Sequence, residues 1–276
     1  MIIFGILGLL LLPAIALTIS QAIKPSFARS WFIAIAGASL AWLGAFFLRL
    51  YLPMEVELVR WQPESLYHTA IGLRVDYTNW HYLVAILALC VAVILTDSSR
   101  LSSNTSPASW AAILALTDLN LISVMSRDPL TMAVIWAITD LVELFYLLIT
   151  LPSPDTKGKI ATLYGVRLIS TFVLVAATAM GWQVTAGLDF TQIPPTASLL
   201  FLIAAGLRLG VLPLNFPMQQ TLELKPGTEL LLRFSPVVSA LVLIAHLPPE
   251  ILVLNQSLVS IISTLTVLAA LYASAM

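Results

Sequence analysis

Apolar stretches long enough to cross a membrane recur along almost the whole chain of 276 residues. A transmembrane helix needs about 20 predominantly apolar residues. Windows of this kind lie at residues 2–22, 31–52, 79–97, 109–126, 129–151, 163–184, 196–219, 230–247 and 251–275. Only 10% of the residues are charged, against about 25% in soluble domains, which excludes a soluble enzyme, a nucleic-acid-binding protein and a disordered chain. The sequence therefore predicts an all-α polytopic membrane helix bundle with about nine transmembrane helices in the lipid bilayer.

Basic residues divide unevenly between the two sides of the predicted bundle. One side carries Lys24, Arg29, Arg100, Lys157, Lys159 and Lys225, with Arg167 and Arg233 nearby. On the other side four arginines are accompanied by seven acidic residues: Arg49, Arg60, Arg74, Arg127, Glu55, Glu57, Glu64, Asp76, Asp128, Asp189 and Glu250. The excess of Lys and Arg predicts that the first side is cytoplasmic, or its topological equivalent, and that the N-terminus lies on the opposite face.

The longest connector, residues 53–77, combines charged residues with spaced apolar ones. Its apolar positions are Val56, Leu58, Trp61 and Leu66. This pattern predicts a short strand or hairpin lying on the surface.

Ionisable residues inside the apolar windows are the candidate functional residues: Asp118, Asp140, Glu143, Arg208 and, nearer a helix end, His246. A charge at mid-membrane costs at least about 2.5–3.5 kcal/mol, so it normally faces the bundle interior and has a partner. Asp140 and Glu143 lie three residues apart and share one helix face. Two acids this close together cannot both ionise cheaply in a low-dielectric environment, so one of them is expected to hold a proton near neutral pH. Arg208 is the expected counter-charge.

Two interpretations of these charges stay open. The functional one is an intramembrane acid–base relay, and the structural one is a buried ion pair that fixes helix packing. The three histidines are too scattered, and the ligand spacings too irregular, to predict a metal site or a haem site.

The window at 196–219 contains helix-breaking residues. Gly206 and Gly210 precede Pro213, which lacks a backbone donor and disturbs the preceding turn. These residues predict a broken helix near 206–213, and such breaks often accompany ion sites in transporters. A kink that serves packing alone is the alternative.

Five segments together resemble the antiporter-like subunits of respiratory complex I, its photosynthetic relatives and Mrp-type cation/proton antiporters. They lie in the family's order at residues 72–76, 128–149, 208–214, 235–241 and 270–273. The resemblance implies about fourteen helices in two inverted halves, of which this chain covers only the first part. It predicts one membrane domain, 1–276, with leading helices at 1–100, an antiporter-like first half at roughly 101–250 and a ninth helix at 251–276. The chain is then either a natural truncation or a segment of a longer protein.

The chain departs from the family at the residues that carry protons. Where the family has a Glu after the fifth-helix Trp, this chain has Ala137, and Asp140 lies one turn further on the same face. Arg208 stands at the position of the family's seventh-helix Lys, and a guanidinium does not release its proton. In the eighth helix, His246 is the candidate for the expected Lys or His.

The resemblance implies a subunit that takes part in proton or cation translocation within a multi-subunit membrane complex of the complex I type. Other membrane subunits are the expected partners, no cofactor is expected in this chain, and the expected membrane is a bacterial inner membrane or a thylakoid-type membrane. The alternatives are a scaffold subunit that does not pump, a subunit of an Mrp-type Na⁺/H⁺ antiporter, and a self-contained small-solute transporter.

Overall fold

The computed structural model consists mainly of long apolar helices. It describes residues 2–23, 26–60, 70–99, 107–151, 154–185, 189–190, 193–211, 226–248 and scattered positions between 256 and 267. The helices are α1 (Ile2–Ile23), α2 (Phe27–Leu48), α3 (Tyr77–Ser99), α4 (Pro107–Val124), α5 (Pro129–Thr150), α6 (Pro154–Thr185), α7 (Pro195–Arg208) and α8 (Pro226–His246). Seven of these eight have the length and composition to cross a membrane, and α7, with 14 residues, is shorter. The protein is therefore an all-α integral membrane protein, as its sequence predicts.

The predicted helix windows agree with these elements to within four residues except at two ends. Helix α6 begins at Pro154, nine residues before the predicted start at 163, because the hydropathy pattern marks only the apolar part of a helix. Helix α7 ends at Arg208 and not at 219. The predicted ninth helix lies mostly outside the described residues, and the positions described between 256 and 267 are helical.

The connector between α2 and α3 forms the predicted paired strands. After a 3₁₀ turn at Arg49–Tyr51, β1 (Met54–Arg60) pairs with β2 (Ala70–Val75). Two of the arginines on this side are neutralised locally, since Arg74 Nε lies 3.5 Å from Glu55 Oε1 and Arg127 Nη1 lies 3.3 Å from Glu57 Oε1. This local pairing agrees with the surplus of acidic over basic residues on this side in the sequence.

The chain divides into two compact units. The first contains Met1–Met54, Val75–Met125 and Glu223–Ser235, and the second contains Glu55–Arg74, Ser126–Leu222 and Pro236–Met276. In the first unit α1 packs against α2 and α4, and α2 packs against α3. In the second unit α6 packs against both α5 and α7.

Helices α1 and α2 approach closely at Gly37. A methyl group on Gly37 would lie 2.5 Å from Pro13 Cγ and 2.8 Å from the Leu9 carbonyl oxygen. That carbonyl precedes Pro13 by four residues, and proline has no N–H to donate to it. The glycine therefore allows α2 to pack directly on the turn of α1 that proline disturbs.

We expect Gly37→Ala to destabilise the fold by about 1–3 kcal/mol, the usual cost of overpacking a tight contact. Gly8→Ala, in α1, is the control because its methyl group would meet nothing within 4 Å. Alanine suits a helix interior better than glycine by about 0.5–1 kcal/mol, so the control should be neutral or slightly stabilising. Unfolding of the purified protein in mixed micelles measures both, and an equal loss of stability in both variants would contradict the close approach.

The N-terminus of α5, the helix with the two candidate acids, is capped by Asp128. Its Oδ1 accepts a hydrogen bond from Thr131 N at 2.7 Å, and its Oδ2 accepts one from Thr131 Oγ1 at 2.6 Å. A side-chain cap of this kind satisfies backbone donors that the first helical turn leaves free. Asp128 and Pro129, at the first helical position, thus fix where α5 begins and which face carries the acids.

Candidate functional site

Helix α5 buries both candidate acids on one face. Asp140 and Glu143 are 7% and 1% exposed. On its other face α5 exposes large apolar side chains, among them Leu141, Phe145 and Ile149. The acids of α5 therefore face α6 and α7 inside the protein, whereas its large apolar side chains face outward, as expected of a helix in contact with lipid.

Glu143 is bound by two side chains of α6. Its Oε2 accepts a hydrogen bond from the Tyr164 hydroxyl at 3.1 Å and forms an ion pair with Arg167 Nη1. Arg167 is itself only 5% exposed, and its Cζ lies 5.1 Å from the centroid of the Tyr164 ring. A charged hydrogen bond and a neutral one thus stabilise the ionised carboxylate of Glu143 in a buried position.

Asp140 is bound by the guanidinium group at the end of α7. Arg208 Nη1 donates to Asp140 Oδ2 at 2.5 Å, and Arg208 Cζ lies 4.6 Å from the centroid of the Trp136 ring. Trp136 lies one turn before Asp140 on α5, so the aromatic ring and the carboxylate hold Arg208 together. The C-terminal end of a helix also favours a positive charge, since the helix dipole is negative there.

The backbone around Gly210 terminates α7 immediately after Arg208. Val211 N donates to Gly206 O, and Gly210 N donates to Leu207 O, both at 3.1 Å. Gly210 has φ of 73°, the left-handed conformation that this C-terminal motif requires. The two glycines that the sequence singled out are thus part of the helix end, whereas Pro213 lies outside the described residues.

We expect Gly210→Ala to destabilise the protein by about 1–2 kcal/mol, since a Cβ strains the left-handed conformation. Gly165→Ala, in α6, is the matched control because open space surrounds its added methyl group. Thermal unfolding in detergent compares the two variants, and equal stability of both would show that the end of α7 tolerates a side chain.

The four buried charges of α5, α6 and α7 sum to zero. The expectation that one of the two acids, Asp140 or Glu143, holds a proton rests on a single counter-charge. The structure places two arginines beside these acids, Arg167 and Arg208. Because arginine keeps its proton, proton exchange within this charge cluster falls to the carboxyl groups and Tyr164. A proton added to Asp140 would leave Arg208 without its counter-charge.

Arg167 is a site residue that the sequence does not predict. The predicted helix begins at residue 163, and this start places Arg167 among the basic residues near the membrane surface. Since α6 begins at Pro154, Arg167 lies well inside the helix. A search for every charged residue inside an apolar window, however close to the start of the window, would have found it.

Asp118 and His246 have other surroundings. Asp118 is buried in α4, in the first compact unit, and its Oδ1 has no hydrogen-bond partner among the described residues. His246 ends α8, with Nδ1 2.9 Å from the Val242 carbonyl oxygen and its ring 5.2 Å from that of Phe190. Among the described residues, no group of three or more His, Cys, Asp or Glu side chains could hold a metal ion.

No known family matches this sequence, and no curated protein is detectably similar to it. Its fold is similar to chains of three membrane assemblies. A chain of respiratory complex I from Thermus thermophilus superposes with a TM-score of 0.67 at 16% identity, covering 89% of this chain and 54% of that one. A chain of the membrane-bound sulfane sulfur reductase, an archaeal respiratory membrane complex, gives 0.65 at 13% identity, with coverages of 85% and 38%. A chain of the Mrp complex from Dietzia sp. gives 0.64 at 15% identity, with coverages of 88% and 28%.

At the level of the fold, these similarities confirm the resemblance to complex I-type and Mrp-type subunits that the sequence indicated. The protein spans between 28% and 54% of the length of the matched chains.

Proposed function

We propose that this protein is an antiporter-like transmembrane subunit that takes part in proton translocation within a multi-subunit membrane complex. The buried cluster of Asp140, Glu143, Arg167 and Arg208 is the observation that carries the proposal. Ionisable residues inside membrane helices are costly and usually functional. Their position on three successive helices of a fold found in respiratory and Mrp assemblies supports translocation as that function.

Asp140 is the proposed proton-binding residue, and Arg208 controls its affinity for the proton. While Arg208 is bound, its guanidinium group balances the charge of the Asp140 carboxylate. When Arg208 withdraws, Asp140 takes up a proton because an unpaired carboxylate is unfavourable in a membrane interior. The short α7 ends at Arg208, so this cation lies at the C-terminal end of the helix.

Arg167 and Tyr164 are the proposed positioning residues for Glu143. Both bind the same oxygen of Glu143, and Arg167 Nη1 lies 3.8 Å from Asp140 Oδ1. Arg167 thus lies between the two acids and links the protonation of one to the charge of the other. Asp118 and His246 are proposed as further relay positions outside this cluster.

A complex I-type assembly is the proposed setting, in a bacterial inner membrane or a thylakoid-type membrane, with other membrane subunits as partners. The respiratory assemblies among the similar structures support it. The alternative within the same fold is a subunit of an Mrp-type antiporter. Purification in mild detergent separates them: hydrophilic redox partners support the first, and small hydrophobic partners alone support the second.

A scaffold role is the second candidate function. It is favoured by one observation, that each of the two acids in the cluster is matched by a guanidinium group that keeps its proton. The test is proton uptake by vesicles that contain the purified assembly, followed with a pH-sensitive dye. Translocation that depends on Asp140 supports the proposal, and translocation unaffected by the loss of its carboxyl group supports the scaffold.

A further inference from the structure

Three polar atoms in the charge cluster are buried and have no hydrogen-bond partner among the described residues. They are Asp140 Oδ1, Arg208 Nε and Trp136 Nε1. Buried polar atoms in proteins nearly always bond to protein or to ordered water. These three atoms differ from the other buried unpaired atoms of the described residues in that their side chains contact one another, so we expect a bound partner at this cluster.

The three atoms have complementary chemistry. Asp140 Oδ1 accepts hydrogen bonds, whereas Arg208 Nε and Trp136 Nε1 donate them. Arg208 contacts both of the other residues, through the ion pair of 2.5 Å with Asp140 and through the face of the Trp136 ring. A water molecule suits this arrangement because it donates and accepts, and buried waters typically make two to four hydrogen bonds.

The distance between Arg167 of one ion pair and Asp140 of the other also indicates a bound water. Arg167 Nη1 lies 3.8 Å from Asp140 Oδ1, and the two side chains are only 6% and 9% exposed. A polar separation of this size is too long for a direct hydrogen bond and is commonly bridged by water.

We infer that the cluster contains a bound-water site, with Asp140 Oδ1 as the acceptor and with Arg208 Nε and Trp136 Nε1 as donors. The existence of the site is independent of the proposed function, and only its role in proton exchange rests on it. In that role the O–H bond at Asp140 Oδ1 breaks and a new O–H bond forms on the water oxygen, which then carries the positive charge. Neither guanidinium group can accept this proton, so the water is the exchange partner of Asp140.

A structure of the wild-type assembly at a resolution that orders internal water tests the inference directly. We expect density within hydrogen-bond distance of Asp140 Oδ1 and of at least one of Arg208 Nε and Trp136 Nε1. A cluster in which Asp140 Oδ1 binds Arg167 directly, with no such density, would overturn it. This outcome does not depend on whether the assembly moves protons.

Ultraviolet resonance Raman spectroscopy provides a second test, since one band of tryptophan reports hydrogen bonding at Nε1. The difference between wild type and Trp136→Phe gives the signal of Trp136. Trp80→Phe supplies the hydrogen-bonded reference, because Trp80 Nε1 donates to Ala45 O at 2.7 Å. 3-Methylindole in a hydrocarbon solvent supplies the unbonded reference. We expect Trp136 to resemble Trp80, and a signal like that of the unbonded indole would remove Trp136 from the site and overturn the donor set.

Discussion

Replacing Arg167 by methionine is expected to destabilise the folded protein by about 3–5 kcal/mol, the usual cost of removing one partner of a buried ion pair. The change leaves the carboxylate of Glu143, which is 1% exposed, with the Tyr164 hydroxyl and no adjacent opposite charge. The free energy of unfolding, measured by reversible denaturation in mixed micelles, gives the loss.

Two further variants separate charge pairing from simple loss of packing. Arg167→Met combined with Glu143→Gln removes both charges of the pair, and we expect it to recover most of the lost stability. Arg233→Met is the matched surface control, because Arg233 pairs with Glu229 in α8 while 40% exposed, and such pairs contribute about 0–1 kcal/mol. Equal losses in the single and double variants would contradict the account of Arg167 as the counter-charge of Glu143.

The second large effect is expected at Asp140. Asparagine has nearly the same shape as aspartate but binds no proton in the range of interest, so Asp140→Asn should reduce proton uptake by reconstituted vesicles at least tenfold. Arg208→Lys keeps a cation beside the carboxylate and should retain part of the activity. Uptake is followed with a pH-sensitive dye after the amount of assembled protein has been equalised.

Asp128→Asn is the matched control for this substitution. Asp128 is also buried, but it caps the N-terminus of α5 and lies outside the charge cluster. Asparagine caps helices about as well as aspartate, so we expect normal uptake. Full uptake by Asp140→Asn in an intact assembly would favour the scaffold role.

Most of the fold could be predicted from the sequence because each helix forms one apolar window. Hydropathy predicted eight of the described helices, and the alternation of apolar residues after Pro53 predicted the paired strands. Hydropathy did not predict where every helix ends. The start of α6 at Pro154 lies in a segment with Lys157 and Lys159, which resembles a connector although it is helical.

The candidate site was predictable in part. Asp140, Glu143 and Arg208 were found because a charge in an apolar window is conspicuous. Arg167 was missed because the error in the start of α6 moved it to the membrane surface, and Tyr164 was missed because a tyrosine in an apolar window is common. Which acid pairs with which arginine depends on the packing of α6 against α5 and α7, and no periodicity in one helix contains that information.

In the proposed mechanism, Asp140 changes its protonation state when a proton gradient is imposed. Infrared difference spectroscopy of the reconstituted assembly tests this directly, since a protonated carboxylic acid has a C=O stretching band that a carboxylate lacks. We predict that the gradient changes the intensity of such a band in wild type and in Asp128→Asn, and that the change is absent in Asp140→Asn. An identical difference spectrum in wild type and Asp140→Asn would contradict the claim and leave the cluster as a fixed set of ion pairs.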